Sequence, residues 1–522
     1  MFAALDQIVT KSDCGMPAHS NTHPVLPAPR SIALHLATAC RAIERTAAER
    51  LPPHTLMARA GEAVARLALA IAPHARTIDV WCGPGNNGGD GFVAASWLRT
   101  WGKDARLIVV GDPARGPDDA RHAWQHAREA GVPVLEGMPE RVHAELAIDA
   151  LLGLGVNRPL DGALASAVGR LNASDAPVLA IDVPSGLHSN TGVAQGVAVH
   201  AAHTVSLLAL KPGLFTAHGR DHAGRVWFDD LGVAATSSPV ELAGREVARA
   251  LAAPRLHAQH KGSFGDAVII GGAAGMLGAA ALAARAALAA GAGRVYVGLL
   301  AAPDAARCEA GQPELMSRTM VQLLVPSVLD AATVVCGCGG GDAVREVLPF
   351  VLHHAQRLVL DADALNVVAG DTALTRALRA RAERGLTSVL TPHPLEAARL
   401  LGVQSAEVQA DRLQAADRLA ATLQCTVLLK GSGSIVATPG RVTSINPTGD
   451  ARLATAGTGD VLAGWLGGTW AAHASVADAH AVARAAAWLH GSAVDHAPPI
   501  GPLRASLLIE AIVAARAALH ES

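Results

Sequence analysis

Aromatic side chains are scarce in this chain: one tyrosine, six phenylalanines and eight tryptophans, 3% of 522 residues. Half of the residues are nonetheless hydrophobic, so sizeable cores can be buried, packed chiefly by alanine, leucine and valine. An excess of one charge is also lacking. The 43 basic residues against 45 acidic ones leave a formal net charge of −2. That balance gives no electrostatic footprint for nucleic acid or an anionic membrane, so small molecules are the expected partners. The seven cysteines, Cys14, Cys40, Cys82, Cys308, Cys336, Cys338 and Cys425, are odd in number and irregular in spacing. Cys336-x-Cys338 has no second pair to complete a zinc site, which favours core or loop thiols in a reducing compartment. The first residues turn polar too early for a secretory signal. The most apolar window, residues 276–293, is mostly alanine and carries Arg285, so a buried helix is favoured over a membrane span. A soluble cytoplasmic protein is expected. The Walker pattern G-x-x-x-x-G-K-[ST] is missing too, and any phosphate must be held by other turns.

The length implies two or more domains. Residues 1–30, rich in Pro, Ser and His, read as a loose N-terminal extension. From 31 to 231, strand-like runs ("TIDVWC", "ARLIVVG", "LAIDALLG", "VLAIDVPSG") alternate with Ala-rich amphipathic segments. Alternation of this kind implies parallel strands joined by crossover helices. Residues 232–252 have the composition of a linker. A second alternating series fills 253–515, with no period shared with the first. Two unlike α/β domains are the expected architecture.

In the first domain, "GPGNNGGDG" (83–91) follows a strand, and Gly83-x-Gly85-x-x-Gly88 has the glycine pattern of a dinucleotide-binding turn. A plain pyrophosphate turn needs neither asparagines nor an aspartate, so Asn86, Asn87 and Asp90 call for another explanation. Two further polar tips end strands: Asp149 before "GLG" (153–155), and Asp182-Val-Pro-Ser185-Gly186. Each tip alone suits a tight turn capped by Asp or Asn. Together they bring carboxylate, amide and hydroxyl oxygens to one sheet end, the ligands a hard cation takes.

These residues carry a family resemblance. "RAIERTAAE", "TLMARAGEAVA", "GPGNNGGDGFVAASWL", "IDALLGLGV" and "IDVPSG" resemble the epimerase domain of the NAD(P)H-hydrate repair enzymes over nearly the whole first half. The resemblance implies a Rossmann-like three-layer domain acting on hydrated NADH and NADPH. It implies potassium ligands at Asn87, Asp149 and Ser185. Contacts to the hydrate would come from Asn86, Asn87, Gly88, Gly89, Asp90, Gly153, Leu154, Gly155, Val156, Asn157, Arg158, Pro159 and Asp182. Asp182 is the candidate acid/base at the hydrated carbon; an Asx-turn is its alternative role.

In the second domain, "TAGTGDVLAG" (455–464) sets Gly457-Thr458-Gly459-Asp460 before an apolar helix. Backbone N–H groups at a helix start form an anion pocket, and a carboxylate beside it can take a proton from an attacking hydroxyl. A helix-capping aspartate is the plainer alternative. His393 in "TPHP" reads alone as a turn histidine.

The order of "KGSFGDAVIIGGAAGMLGAAALAARAALAAGAG", "DADALN", "TPHPLEAARLLG", "LLKGSGSIVA" and the GTGD segment resembles ribokinase-like folds. More narrowly, it resembles the ADP-dependent NAD(P)H-hydrate dehydratase. That resemblance implies that Lys430, Gly431, Ser432, Gly433, Ser434 and Gly459 hold the adenine nucleotide, with ADP as co-substrate. Ala267, Gly339, His393 and Asp460 would face the hydrate, and Asp460 would act as base, with Mg²⁺ as counter-charge. The family's G-P-G-x-G is "GCGGG" (337–341) here, which loosens the claim on Gly339. The rival reading is an ATP-dependent small-alcohol or vitamin kinase with a non-catalytic N-terminal binding module; the fused NNGGDG domain argues against it. A homo-oligomer is the expected assembly.

Overall fold

The computed structural model describes residues 22–234, 237–301, 312–475, 478–499 and 501–520. Short apolar runs ending in glycine or an acid form the strands, and they assemble into two sheets. The first has seven strands in the spatial order His23–Pro24, Arg225–Asp229, His203–Leu207, Val178–Ile181, Leu146–Ala150, Thr77–Cys82 and Asp104–Val109. All pair in parallel except His23–Pro24. The pleat sends alternate residues to opposite faces. Ile78, Val80 and Cys82 enter one core with helices Thr55–Ile71 and Asn86–Thr100, and Trp81 enters another with helix Gly162–Asn172. Both faces are covered, giving three layers.

The second sheet has eleven strands. Its order is Met316–Ser317, Arg294–Leu299, Asp266–Gly271, Thr333–Cys336, Arg357–Leu360, Thr387–Leu390, Thr426–Leu429, Ile435–Ala437, Thr443–Ile445, Val240–Leu242 and Ile32–Leu34. From Met316–Ser317 to Thr426–Leu429 the pairing is parallel. Here the structure departs from the sequence reading at two places. Residues 232–252, read as a linker, contain strand Val240–Leu242, which pairs with Thr443–Ile445 and with Ile32–Leu34. Ile32–Leu34, read as the start of the first domain, thus lies at the edge of the second sheet. Both segments are three residues long, too short for an alternation to declare itself, and only the partner strands give Val240, Leu242 and Leu34 a core to enter. The expected loose extension is also partly ordered, since His23–Pro24 pairs with Arg225–Asp229; residues 1–21 lie outside the described residues.

The alanine-rich window forms helix Leu277–Ala290, and among the described residues no helix is long and apolar enough to cross a membrane. Its small side chains have a steric purpose. Helix Thr458–Ala472 packs against it so closely that a Cβ on Gly464 would lie 2.0 Å from the Ala283 carbonyl oxygen, and one on Gly468 would lie 2.2 Å from that of Ala287. Small residues four apart on both helices let the backbones touch, which stands in for the missing aromatic bulk. Gly468→Ala is therefore expected to destabilise the fold by about 1–3 kcal/mol despite alanine's better helix propensity. Urea unfolding of the variant should show a lower midpoint, and an unchanged midpoint would mean the contact can relax.

Candidate active sites

The first sheet reverses its strand order between Thr77–Cys82 and Leu146–Ala150, and ligands settle at the carboxyl ends of strands at such a reversal. Three backbone segments meet there. A Cβ on Gly83 would lie 1.9 Å from the Leu151 carbonyl oxygen, and one on Gly88 would lie 2.0 Å from that of Gly83. Glycine is what permits that closeness. Asn86 to Asp90, read from sequence as a loop, are helical: the helix Asn86–Thr100 opens with them. Its N-terminal end, where backbone donors are unsatisfied, lies at the sheet end.

A cavity of about 510 Å³ opens here, with Asn86, Asn87, Asp90, Gly153, Asp182 and Lys211 in its lining. Asp182 follows strand Val178–Ile181 in a left-handed conformation, φ 67°. Its Oδ1 accepts from Lys211 Nζ and, at 3.2 Å, from the Leu207 N–H. Lys211 is fully buried and also donates to the Leu207 carbonyl at 2.8 Å. Burial and the Asp182 charge push the Asp90 carboxyl well above its ordinary range, and the same causes raise Glu44, which lines the same cavity. Two carboxyls of raised pKa thus share this cavity with the Asp182–Lys211 pair. Beneath them, Asp149 is fully buried at the end of its strand. It accepts from the Ser185 N–H at 2.8 Å, the Ser185 hydroxyl at 2.7 Å and the Leu151 N–H at 3.1 Å. Burial pushes it up to about 6.

The second sheet reverses between Asp266–Gly271 and Thr333–Cys336. Beyond those strand ends, Asp361 Oδ1 accepts from Lys430 Nζ and from the Thr391 hydroxyl, each at 2.7 Å. Asp460 lies in the first turn of helix Thr458–Ala472. Burial, with the Asp361 charge beside it, pushes Asp460 up to about 6. Ligand atoms of Cys338, Asp361 and Asp460 lie within 4.8 Å of one another. Next to them is a cavity of about 470 Å³ lined by Lys430, Gly431, Ser432, Ser434 and Gly459, among others.

Comparison with known proteins gives two consecutive matches. The family described as "YjeF-related protein N-terminus" matches residues 53–213, and that described as "NAD(P)H-hydrate dehydratase" matches residues 267–508. The bifunctional NAD(P)H-hydrate repair enzyme Nnr of Escherichia coli is 36% identical over 464 residues, 87% of each chain. That of Coxiella burnetii is 36% identical over 481 residues, 90% of this chain and 95% of its own. This chain belongs to the bifunctional NAD(P)H-hydrate repair enzyme family. Among solved structures, an ADP/ATP-dependent NAD(P)H-hydrate dehydratase from Bacillus subtilis, co-crystallized with ATP/Mg²⁺, is 28% identical; the match covers 53% of this chain and 97% of that one, with a TM-score of 0.45.

Of the residues expected in the epimerase-type site, Asn86, Asn87, Asp90, Gly153, Leu154, Gly155 and Asp182 line one cavity. Gly88 and Gly89 do not; they face the Gly83 backbone and Met57. Val156, Asn157, Arg158 and Pro159 also fall outside the lining. Asp149 and Ser185 are bonded to each other, and Asn87 has its Oδ1 3.2 Å from where a Gly153 Cβ would be. In the dehydratase-type site, Ala267 is fully buried near the start of its strand, in one core with the alanine helix. Gly433 lies where an added Cβ would meet the Phe215 carbonyl oxygen at 2.1 Å. Gly339, at φ 59°, accepts from the Ala273 N–H at 2.7 Å. His393 caps helix Pro394–Leu401 through Nδ1 and faces Glu396 through Nε2 at 3.2 Å. Burial and the Lys430 charge lower its pKa.

Sequence reasoning assigned no role to Lys211, Glu44, Asp361 or Cys338. Lys211 carried a signal, a lone lysine closing the apolar run "VSLLAL" (205–210), and Asp361 opens the quoted "DADALN". The five described cysteines are buried and free; Cys14 and Cys308 lie outside the described residues.

Removing the cation from the first pair leaves a buried carboxylate alone. Lys211→Met should cost about 3–5 kcal/mol in urea unfolding, and adding Asp182→Asn should recover much of it. Additive losses in the double variant would show that the two groups do not support each other.

Proposed function

We propose that this chain repairs hydrated NADH and NADPH at two separate sites, the first domain interconverting the R and S hydrates and the second dehydrating the S form at the expense of ADP. The observation that carries the reading is the pair of strand-end sites in one chain, each with a buried lysine–aspartate pair and a nearby carboxyl of raised pKa, in a chain of the bifunctional family.

At the first site Asp182 is the acid/base that makes and breaks the bond at the hydrated carbon, and Lys211 is its ion-pair partner. Asp90, whose carboxyl burial pushes well above its ordinary range, is placed to donate a hydrogen bond to the carboxamide or hydroxyl of the hydrate, and Glu44 lines the same cavity. The oxygens of Asn87, Asp149 and Ser185 are of the hard type that an alkali cation takes. When bound there, potassium would supply positive charge beside the hydrate.

At the second site Asp460 takes the proton of the hydrate's hydroxyl as that oxygen attacks the terminal phosphate of ADP, releasing AMP. A hydroxyl is a poor leaving group and phosphate a good one. The ring nitrogen's lone pair then expels phosphate, and loss of a proton from the neighbouring carbon regenerates the dihydropyridine. Lys430, Gly431, Ser432, Ser434 and Gly459 hold the nucleotide around the 470 Å³ cavity. Asp361 and Asp460 offer oxygens suited to Mg²⁺, whereas the Cys338 thiol does not. Magnesium, when it accompanies ADP, would supply counter-charge to the phosphates.

Asp460→Asn should lower dehydration at least a hundredfold and leave epimerisation intact, followed as reduced-ring absorbance and by chromatography of the epimers. Equal loss of both activities in a folded protein would point to one composite site. A base must be deprotonated to act, so wild-type kcat/KM for dehydration should fall about tenfold per pH unit below about 6 and level off above. A flat profile between pH 5 and 7 would remove Asp460 from the role. Asp182→Asn should slow epimerisation roughly a hundredfold while binding survives; a wild-type rate would make Asp182 a turn residue only.

A further inference from the structure

The cavity assigned to the nucleotide is not closed by the second domain alone: Arg220 and Asp221, from the first domain, lie in its lining. The chain delivers them by a short, firmly held turn. Thr216 Oγ1 donates to the Ser432 carbonyl at 3.2 Å, the Ala217 N–H donates to the same oxygen at 3.2 Å, and Ser432 Oγ donates back to the Ala217 carbonyl at 2.8 Å. Arg412 braces both sides, donating to Thr216 Oγ1 at 3.3 Å and to the Lys430 carbonyl at 3.1 Å. Gly433 is flattened against Phe215 by the same contact.

The charges of this cavity are unequally committed. Lys430 is paired with Asp361, and Asp450 with Arg452 at 2.7 Å. Burial lowers His490 to about 4, so it is neutral near pH 7. Arg220 is left with backbone oxygens only: Nη2 donates to the Gly449 carbonyl at 2.7 Å and Nη1 to that of Thr448 at 3.4 Å. Among the described residues no carboxylate forms an ion pair with it, although it is half-buried; burial lowers its pKa, and the more distant Asp450 and Asp221 charges oppose that. A partly desolvated guanidinium with no ion-pair partner is free to take an anion from a ligand, and phosphate is the anion its planar fork fits.

We propose that Arg220, a first-domain residue, binds a phosphate of the adenine nucleotide held by the second domain, so that the nucleotide site is built from both domains. The inference rests on the assignment of that cavity to ADP. Its consequence is that the dehydratase requires the first domain docked in place, whether or not epimerisation is needed.

The test is calorimetry on the full-length protein with ADP and with adenosine, an uncharged probe of the same base and sugar. Arg220→Gln should weaken ADP binding about ten- to hundredfold, the usual scale for a charge-assisted hydrogen bond, and move adenosine less than twofold. Arg220→Lys should recover part of the loss, and steady-state kinetics should show the KM for ADP rising more than kcat falls. Equal weakening of ADP and adenosine would overturn the proposal, because Arg220 would then only prop the Thr448–Gly449 backbone. A raised KM for the hydrate with that for ADP unchanged would overturn the assignment to ADP. Lys430→Gln separates the two levels of the argument. If it loses ADP affinity while Arg220→Gln does not, the proposal fails and the nucleotide site stands. If neither variant loses affinity, the nucleotide site fails and the proposal with it.

Discussion

A buried lysine bound to a buried aspartate anchors each of the two sites. Lys211 with Asp182 sits at the carboxyl end of the first sheet, and Lys430 with Asp361 at that of the second. Neither ion can be buried alone without a cost of several kcal/mol, so each pair fixes the strand ends that carry it. The pairing also sorts the neighbouring carboxyls. Burial first, and then the negative charge a carboxylate already holds at each site, raise the pKa of a neighbouring acid, Asp90 in one and Asp460 in the other. A charged and a protonatable group thus lie within reach of one ligand, as general acid–base chemistry near neutral pH needs.

The two sheets are not independent bodies joined by a tether. Ile32–Leu34 leaves the N-terminal region to border the second sheet, and Val240–Leu242 joins it from the intervening segment. Leu34, Leu187, Leu214 and Phe215 share one core with Val240, Leu242, Ile435 and Ile445. The apolar part of that contact supplies adhesion without direction. The hydrogen bonds of Thr216, Ala217 and Ser432 supply direction, fixing which loop of one domain meets which loop of the other. The turn that follows Lys211 therefore reaches from the cavity lined by Asp182 in the first domain to the cavity lined by Lys430 in the second.

Cys338 lies in the glycine-rich loop 337–341. The backbone there turns sharply, with φ of 120° at Gly337 and 59° at Gly339, conformations that glycine adopts without a steric cost. The thiol is fully buried, and desolvation with the nearby Asp361 and Asp460 charges raises its pKa far above the ordinary value. It fills space as a neutral group beside the carboxylates.

The sequence by itself determined the alternation of strand and helix, the two-sheet α/β plan, the strand-end tips that carry Asn87, Asp149 and Asp182, and the helix start that carries Asp460. Each of these follows from local pattern: apolar runs of strand length, glycines where backbones must close, and polar residues directly after a run. Only the tertiary structure decided what lies opposite those tips. Lys211, Glu44 and Asp361 matter through partners tens of residues away, a relation no local spacing expresses. Ala267 is buried by its strand position, which the text of its motif does not express. The helical start at Asn86 was hidden because glycine-rich text argues for a loop; packing of its glycines against Gly83, Met57 and Ala150 supplied what propensity withheld. Strands such as Val240–Leu242 and Ile32–Leu34 are the clearest instance. Three residues hold too little pattern to be read, and they become strands because a sheet edge offers them hydrogen bonds and a core to enter.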